Sequence, residues 1–592
     1  MSVRPVNTDQ FAVRVRKMGI LWLCAGAILI ARLFYIQIIQ HDKYVQQAAG
    51  TRNVSQTIKA ARGEIFGHDA RDAKTTLFPL ALNRDQLLLI SDNRKIDEPD
   101  RVAALIATST AMSSEDAQLL AQKLSQKNRA YQLLIKDVRP EIADTLTEEF
   151  KANAIRGLYF DREPARLYPE RELFSQVTGF VGRNDQGESI GRYGLEAFFD
   201  TQLRGTNGYV KTEKDPFGGW IPVATSDFTE AHNGEDLIVT IDRTIQLKLC
   251  EALAGGVTKY SARSASGIIM DPKNGQIFGM CNVPNFDANA YQKVSDAKLF
   301  NNDTIFSPFE PGSVFKLVTM ASALDAGVVT PQTTYVDGGS VKRDGFTIRN
   351  AGDKSWGRQT MTGVIKESIN TGTIFAADAL GKDLFKGYVE KFGFGKKTGV
   401  ELKVEESGNV KSLAKSGTVF LATDSFGQGL TTTALQLVQA YAAVANGGLM
   451  MKPTIVYAWR NAAGISTLEQ PHEVRQVIGK KAADEMTEML RIAVEEGHGR
   501  LARVPGHTIV GKTGTAQIAG AHGKYTEDYN HTFIGFAPMF NPRFVMLIKF
   551  EAPHAKYAES TAVPTFGEVA KFLLEYLGVR PDKPIEALDK KI

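Results

Sequence analysis

The chain has 592 residues, too many for one hydrophobic core, so two or more domains are expected. Its formal net charge of +4 is small for this length, which argues against a dedicated nucleic-acid binder. The three cysteines, Cys24, Cys250 and Cys281, have no partners at metal-ligand spacing and predict neither a disulfide framework nor a zinc site, although a single Cys250–Cys281 bridge stays open.

The first predicted element is an apolar stretch, residues 18–39, which follows Arg14, Arg16 and Lys17. Its length is that of a membrane-spanning helix, and basic residues ahead of a span predict a cytoplasmic N-terminus. A cleavable signal peptide and a buried core helix are the alternatives, but the run is long and no small-x-small cleavage site follows it. We therefore expect a cytoplasmic tail (1–17), one transmembrane anchor (18–39) and an extracytoplasmic remainder.

Between the anchor and residue 236, short β-like runs mix with polar amphipathic helices, which predicts a mixed α/β domain over residues 40–236. A polar stretch rich in Gly and Arg, residues 182–194, predicts a loop, and a short helix is expected at 195–203. The other predicted elements of this region are strands at 54–58, 86–90 and 133–138 and a helix at 115–126.

The pattern changes at Asp236. Strands at 266–270 and 276–280 flank turn residues 271–275 and predict a hairpin. Strands at both ends of this region, with helices between them, predict an α+β domain (237–580) whose sheet is assembled from distant segments, followed by a tail (581–592). The remaining predicted elements are strands at 237–241, 508–517, 532–537 and 543–550 and helices at 243–253, 314–324, 433–445 and 569–577.

A serine followed three residues later by a lysine occurs three times, at Ser295/Lys298, Ser313/Lys316 and Ser412/Lys415. As nucleophile and general base, such a pair needs the serine at a helix N-terminus and the lysine one turn later, on an apolar helix whose burial lowers the lysine pKa. Only Ser313 has this setting, because Pro311-Gly312 predicts a turn and apolar residues follow it. We expect the other two pairs on exposed polar surface.

Two further patterns also occur three times each: Lys-Ser/Thr-Gly at Lys397, Lys415 and Lys512, and Ser-x-Asn at Ser91, Ser368 and Ser407. Residues 512–515 lie in a β-rich stretch and predict an edge strand whose lysine binds a carboxylate and whose glycine leaves room for substrate backbone. Ser368 and Asn370 follow a predicted helix and precede Thr371-Gly372, which predicts a cap and turn. With Ser313 and Lys316, the ordered trio of motifs predicts one active site.

Two other patterns in the chain compete with this prediction. Residues 506–513 match the phosphate-binding pattern GxxxxGKT, but the His-Thr-Ile-Val within it favours a strand and no good helix follows. Residues 187–191 match the nucleophile elbow GxSxG, but a polar loop, not a hydrophobic strand, precedes Ser189. We expect neither an NTPase nor an α/β-hydrolase.

The three motifs are the active-site set of the penicillin-binding proteins and serine β-lactamases, and the chain resembles the monofunctional class B penicillin-binding proteins over nearly its full length. Its C-terminal stretch looks most like the division-specific (septal) FtsI branch, with the elongation branch as the close alternative. The segments that carry the resemblance are Arg62-Gly63-Glu64-Ile65, Arg166-Leu167-Tyr168-Pro169, Gly194-Leu195-Glu196, Leu203-Arg204-Gly205, Ser425-Phe426-Gly427-Gln428-Gly429 and residues 531–538, 562–566 and 574–579.

The resemblance implies an α+β protein with a single transmembrane helix, an extended mixed α/β pedestal domain of the dimerisation type, and a transpeptidase domain with an antiparallel sheet and helices on both sides. It implies that Ser313 is acylated, that Lys316 takes its proton and that Ser368 relays a proton to the leaving amine. The other implied site residues are Asn370, which holds the donor amide, Lys512, which lowers the Lys316 pKa, and the substrate-binding Thr513, Gly514 and Thr515. No metal or organic cofactor is expected.

The implied substrates are peptidoglycan stem peptides as donor and acceptor, with β-lactams as inhibitors. The implied location is the bacterial cytoplasmic (inner) membrane, with a periplasmic catalytic domain and a polytopic glycosyltransferase and other divisome proteins as partners. A D,D-carboxypeptidase and a β-lactamase are alternatives that hydrolyse the acyl-enzyme. A β-lactam sensor is disfavoured, because only about 17 residues precede the anchor.

The sequence departs from the family pattern in two places. After Ile65 it reads Phe66-Gly67-His68-Asp69 where the family has Asp-Arg-Asn-Gly, and Glu559-Ser560-Thr561 replaces a glycine-rich pair. The first departure touches the pedestal, and we expect neither to touch the catalytic motifs.

Overall fold

The computed structural model of the protein describes residues 8–44, 53–71, 76–213, 227–520 and 524–584. Contacts divide the chain into two compact units, one comprising Met1–Ala61 with Gly205–Asn233 and the other Arg62–Arg204 with Gly234–Ile592. The predicted tails at 1–17 and 581–592 lie partly outside the described residues.

The smaller unit contains the predicted apolar helix. The helix Thr8–Phe34 continues as a π-helical turn, Tyr35–Ile39, and the segment Phe11–Ile39 has a mean hydropathy of 2.0 with none of it buried. By length and composition this is the one helix among the described residues that fits a membrane span. The unit also holds a three-stranded antiparallel sheet of Asn53–Ile58, Gly208–Glu213 and Asp227–Thr229, which confirms the strand predicted at 54–58.

The larger unit contains a seven-stranded mixed sheet. Its strand Asp236–Val239 pairs in parallel with Ile65–Gly67 and antiparallel with Val456–Arg460, so the boundary expected at 236/237 falls within a strand that joins segments from both sides. The long strand Phe78–Ser91 pairs with Ile65–Gly67 and also with Gln132–Val138 and Leu158–Leu167, and the outer strand Ser466–Leu468 completes the sheet. A separate core forms where three helices pack on this sheet: Pro99–Thr110, Ser114–Leu124 and Pro140–Ala152.

Three of the segments that carry the family resemblance meet in one buried ion cluster. Glu196, whose side chain is 0% exposed, accepts hydrogen bonds from Arg62 Nε and Arg166 Nε, both at 2.7 Å. Arg62 also reaches Asp200 at 2.8 Å, and the Tyr168 hydroxyl lies 3.4 Å from Glu196. The buried carboxylate and its two guanidinium partners stabilise the contact between segments that are far apart in sequence. Loss of one partner would leave a buried charge without its counter-charge.

A second sheet of the larger unit is five-stranded and antiparallel, with its strands in the order Ile277–Val283, Ser264–Met270, Phe544–Glu551, Tyr525–Ala537 and Val510–Ala519. Phe533 faces a core that includes the helices Arg243–Tyr260 and Ala562–Tyr576. The adjacent Ile534 faces the opposite core, with the helices Lys316–Asp325, Ala434–Ala445 and Lys480–Glu495. This confirms the predicted α+β domain, its hairpin and its sheet of distant segments, with helices on both sides.

Cys250 and Cys281 form a disulfide, which settles the possibility that the sequence left open. It joins the helix Arg243–Tyr260 to the strand Ile277–Val283. Cys24 is free and lies in the apolar helix.

The loop predicted at 182–194 is wrong, because the segment forms a hairpin of Val181–Arg183 with Ser189–Gly191. Asn184 stabilises the turn of this hairpin, because its side-chain oxygen accepts hydrogen bonds from the backbone N–H groups of Gln186 and Glu188, at 3.1 and 2.8 Å. The helix expected at 195–203 is split into two short helices, Gly194–Phe198 and Asp200–Arg204.

The larger unit also contains short strands, helices and turns. Short antiparallel pairs are Thr334–Asp337 with Gly357–Thr360, Ser340–Arg343 with Phe346–Arg349, and Leu449–Met451 with Glu473–Gln476. Further helices are Ser175–Thr178, Asp303–Phe306, Met361–Lys366, Asn370–Leu380, Lys382–Lys391 and Thr418–Ser425. The 3₁₀ turns are Asn93–Lys95, Ala288–Lys293, Ala297–Phe300, Gly312–Phe315, Ala351–Asp353, Lys411–Ala414, Arg500–Ala502 and Ala558–Ser560.

Candidate active site

Ser313 lies in the 3₁₀ turn Gly312–Phe315, called the serine turn below, which leads directly into the helix Lys316–Asp325. Gly312 has a φ of +57° and donates its N–H to the carbonyl of Gly427 at 3.0 Å. Gly427, at φ +81°, has no room for a side chain, since a Cβ there would lie 2.3 Å from the Gly312 oxygen. Two glycines in close contact therefore hold the serine turn in place.

Lys316 is fully buried at the start of this helix. Its Nζ lies 2.5 Å from the backbone oxygen of Ser368, 2.8 Å from Asn370 Oδ1 and 3.2 Å from Ser368 Oγ. Burial lowers the pKa of Lys316 well below its usual value, and the positive charge of Lys512 lowers it further. The amine is therefore neutral far more readily than that of an exposed lysine, as a general base requires.

Ser368 lies between two helices, Met361–Lys366 and Asn370–Leu380, and Asn370 is the first residue of the second helix. Ser368 has a φ of +57°, which is a left-handed conformation, and both its carbonyl oxygen and its hydroxyl contact the Lys316 amine. The cap and turn predicted at Thr371-Gly372 is wrong, because a helix begins at Asn370 instead. Its apolar residues are buried, and Gly372 packs closely against Val364, so tertiary packing outweighs the turn preference.

A buried carboxylate that the sequence did not single out supports this segment. Asp337 accepts hydrogen bonds from the Thr371 hydroxyl at 2.7 Å and from the Trp356 N–H at 2.8 Å, and Asn350 Nδ2 binds it at 2.9 Å. Burial alone would raise its pKa, but the hydrogen bond from Thr371 and the others hold the pKa of Asp337 below its usual value. Asp337 thus anchors the residue that follows Asn370, and no local sequence pattern marks it.

Lys512 lies in the edge strand Val510–Ala519 of the five-stranded sheet, as predicted. Only 2% of it is exposed, and burial lowers its pKa to about 8. Its Nζ approaches the hydroxyl of Thr513 at 3.3 Å, and the hydroxyl of Thr515 accepts the backbone N–H of Ala558 at 3.2 Å.

Gly514, in the same strand, lies against the serine turn. A Cβ at this position would lie 3.0 Å from the backbone oxygen of Pro311 and 3.0 Å from Val314. The space beside Gly514 is therefore occupied by the serine turn, and the lack of a side chain lets that turn pack directly on the edge strand.

The fold brings the predicted motifs together. Lys316 contacts the Ser368–Asn370 segment, the charge of Lys512 acts on Lys316, and Gly514 packs against the residues that flank Ser313.

The competing GxxxxGKT, GxSxG and SxxK patterns do not form active sites of the kinds that they would predict. Residues 510–513 of the GxxxxGKT match lie within a strand, which excludes a phosphate-binding loop, and Ser189 of GxSxG is exposed on a hairpin strand. Ser295 is exposed, as expected. The expectation for Ser412 is wrong: it is 6% exposed, because its turn packs inward towards the buried carboxyl of Asp424.

Sequence reasoning also missed a group of residues beside the edge strand. The turn Ala558–Ser560 binds Thr515, and its Glu559 carboxylate lies 2.7 Å from His498 Nδ1 and acts electrostatically on Lys512. The expectation that the replacement at 559–561 does not touch the catalytic motifs is therefore wrong. The departure from the family pattern was the available signal, but only the fold shows what lies next to it.

Comparison with known proteins adds to this geometry. The family described as the penicillin binding protein transpeptidase domain matches residues 265–571, and the family described as the penicillin-binding protein dimerisation domain matches residues 57–239. Stage V sporulation protein D of Bacillus subtilis is 32% identical over 96% of this chain and 87% of its own length. The peptidoglycan D,D-transpeptidase FtsI of Escherichia coli is 27% identical over 95% of this chain and 91% of its own.

The same likeness holds among solved structures. A crystal structure of penicillin binding protein 3 from Mycobacterium tuberculosis, complexed with aztreonam, covers 90% of this chain and 99% of that one, with a TM-score of 0.67 and 26% identity.

Proposed function

Because the chain belongs to the class B penicillin-binding proteins, which are serine D,D-transpeptidases with a dimerisation domain, we propose that Ser313 is the residue acylated by the peptidoglycan donor. The observation that carries this assignment is the buried amine of Lys316, one helical turn after Ser313 and hydrogen-bonded to Ser368 and Asn370.

In the acylation step, Ser313 Oγ attacks the carbonyl between the two terminal D-alanines of a stem peptide. Lys316 takes the serine proton, the C–N bond breaks, and Ser368 passes a proton to the departing amine of D-alanine. A neutral lysine has two N–H donors, which the carbonyl oxygens of Ser368 and Asn370 accept at 2.5 and 2.8 Å, so its lone pair stays available for a hydroxyl proton. The N–H groups of Ser313 and Thr515 stabilise the tetrahedral oxyanion.

The donor's terminal carboxylate binds at the edge strand. The Thr513 hydroxyl accepts from Lys512 and the Thr515 hydroxyl accepts from Ala558, so both O–H groups remain free to donate to an anion. Lys512 adds positive charge at a site with little solvent, where it interacts strongly with a carboxylate. A β-lactam carries a similar carboxylate next to its reactive carbonyl and acylates the same serine.

The acyl-enzyme then reacts with an amine of a second stem peptide, which forms the crosslink and regenerates Ser313. A D,D-carboxypeptidase or β-lactamase would transfer the acyl group to water instead. Incubation of the full chain with donor and acceptor peptides separates these activities, because transpeptidation yields the crosslinked dimer and hydrolysis yields the trimmed monomer.

We assign the chain to septal wall synthesis, with elongation as the alternative. The C-terminal stretch, residues 562–579, and the likeness to FtsI support a division role. Depletion in the source bacterium tests this, since filaments are expected for a septal enzyme and rounded cells for an elongation enzyme. The polytopic glycosyltransferase and divisome partners rest on family analogy alone, and co-purification from detergent-solubilised membranes tests them.

The proposed organisation is a cytoplasmic tail (1–17), an anchor (18–39), a pedestal (40–236), a catalytic domain (237–580) and a tail (581–592). The Cys250–Cys281 disulfide supports an oxidising, extracytoplasmic compartment for the catalytic domain. In a Cys24→Ser background, Lys43→Cys should react with an impermeant maleimide in intact spheroplasts, and Asp9→Cys should react only after lysis. The reverse pattern would overturn this topology.

The nucleophile assignment has a direct test. Ser313→Ala should abolish covalent labelling by a fluorescent penicillin, whereas Ser295→Ala and Ser412→Ala, which remove the serines of the two other SxxK patterns, should leave labelling intact. Labelling that survives the loss of Ser313 would refute the assignment.

A further inference from the structure

The turn Ala558–Ser560 is fastened to the sheet on both sides of Glu559. On the N-terminal side of Glu559, the Ala558 N–H donates to the Thr515 hydroxyl at 3.2 Å. On its C-terminal side, the Thr561 hydroxyl lies 2.9 Å from His531 Nδ1, and His531 is the residue directly opposite Thr515 in the strand pairing. Two attachments to one pair of neighbouring residues fix Glu559 beside the strand that carries Lys512.

The carboxylate of Glu559 is itself held in place, because His498 Nδ1 lies 2.7 Å from its Oε1. The Glu559 side chain is 35% exposed and that of His498 is 38% exposed, so the pair is only partly shielded from water. Burial alone would raise the pKa of Glu559, but the hydrogen bond from His498 and the charge of Lys512 hold it below its usual value. Glu559 is therefore an anion throughout the neutral range.

Lys512 needs such a neighbour. Its hydrogen-bond acceptors, the backbone oxygen and the hydroxyl of Thr513, are uncharged and lie 3.4 and 3.3 Å away. An ammonium group that has left water without an opposite charge tends to lose its proton. Within the part of the chain that the structure describes, Glu559 is the charge that opposes this loss.

We propose that Glu559 is a positioning residue that keeps Lys512 protonated while Lys316 stays neutral. The inference rests on the proposed role of Lys512 in binding the donor carboxylate. The two buried lysines have opposite tasks: Lys316 must accept a proton, and Lys512 must keep one. A carboxylate on a turn that is bound to the strand of Lys512 favours this division.

The other titratable groups around Lys512 do not replace Glu559. Lys316, from the neighbouring helix, repels the charge of Lys512. His531, from the adjacent strand, is fully buried and burial lowers its pKa to about 4, so it is neutral near pH 7. His498 contacts the carboxylate of Glu559, at 2.7 Å.

The test uses the full chain in detergent and measures the rate constant of acylation by a fluorescent penicillin from pH 5 to 10. Glu559→Gln keeps the shape and a hydrogen bond to His498 but removes the charge. Since Lys512 then loses its proton more easily, the alkaline limb of the profile should move to lower pH by roughly half a unit to one unit, with little change below about pH 6.

Two variants serve as controls. His498→Gln removes the imidazole that contacts Glu559 but leaves the charge of Glu559, so its alkaline limb should stay in place. Glu568→Gln removes an exposed carboxylate from the helix Ala562–Tyr576, where it pairs with Lys248, and should behave as the wild type.

Different outcomes would overturn the role of Glu559 and the proposed function. An unmoved alkaline limb in Glu559→Gln, an equal loss of rate at every pH, or the same shift in His498→Gln would each overturn the role of Glu559. Absence of labelling in the wild-type chain, or labelling that persists in Ser313→Ala, would instead overturn the proposed function.

Discussion

The amine of Lys316 lies 2.8 Å from the side-chain oxygen of Asn370, although 54 positions separate the two residues in the chain. The contact joins the helix after the serine turn to the start of the helix Asn370–Leu380. An amide at this position accepts a hydrogen bond from the lysine without adding charge. It therefore orients the base and leaves its low pKa intact.

Replacing that amide by a carboxylate should disable the base. In Asn370→Asp, an anion 2.8 Å from Lys316 should raise the lysine pKa by about 1–3 units, so the acid limb of the pH–rate profile should move to higher pH by the same amount. We expect acylation by a fluorescent penicillin to slow on the acid side of the profile, with an unchanged thermal unfolding midpoint. A variant that acylates at the wild-type rate would contradict the role given to Lys316.

The pH dependence of acylation should be bell-shaped. The rate should rise as Lys316 loses its proton, and it should fall as pH passes the pKa of Lys512, about 8, because we propose that the Lys512 cation binds the carboxylate. Because the two lysines interact, the limbs belong to the pair as a whole. In Lys512→Arg, the guanidinium cannot lose its proton in this range, so the alkaline limb should disappear from the interval between pH 7 and 9 even if the maximum rate drops.

The contact between Gly427 and Gly312 should be essential for the geometry of the serine turn. In Gly427→Ala the new Cβ would lie 2.3 Å from the Gly312 oxygen, so the turn must move. A displacement of about 1 Å at a nucleophile costs on the order of 100-fold in rate.

Gly447→Ala is the matched control for that substitution. Gly447 also has a positive φ, +64°, but its Cβ would meet only the Lys480 side chain, at 3.8 Å. Backbone strain of about 1–2 kcal/mol is then common to both variants, and only Gly427→Ala should lose acylation. Equal losses in the two variants would show that strain, not the close contact, is responsible.

The ion cluster around Glu196 should matter for stability. Glu196→Gln leaves the largely buried guanidinium groups of Arg62 and Arg166 without their shared carboxylate, which should lower the free energy of unfolding by about 3–5 kcal/mol. Glu390→Gln, which breaks an exposed pair with Lys386, should cost less than about 0.5 kcal/mol. Thermal unfolding of both variants measures the difference, and similar midpoints would contradict a structural role for the cluster.

Local sequence sufficed to single out Ser313 as the proposed nucleophile. Three serine–lysine pairs are present, but only Ser313 combines a Pro-Gly turn with an apolar run that predicts a buried helix. The alternation of strands and helices likewise predicted the α+β domain and the sheet of distant segments. These inferences succeed because burial and turn formation leave their marks within a few residues of the chain.

Contacts between distant segments were decided by the tertiary structure alone. The sequence gives no sign that Ser412 turns inward, that Gly514 makes room for the serine turn, or that Glu559 lies beside the strand of Lys512. The helix that begins at Asn370 shows the same limit, because packing of its apolar face outweighed a local turn signal. Each of these features depends on which surfaces meet after folding. Packing and electrostatic interactions between distant segments leave no local pattern in the sequence, so they cannot be predicted from it.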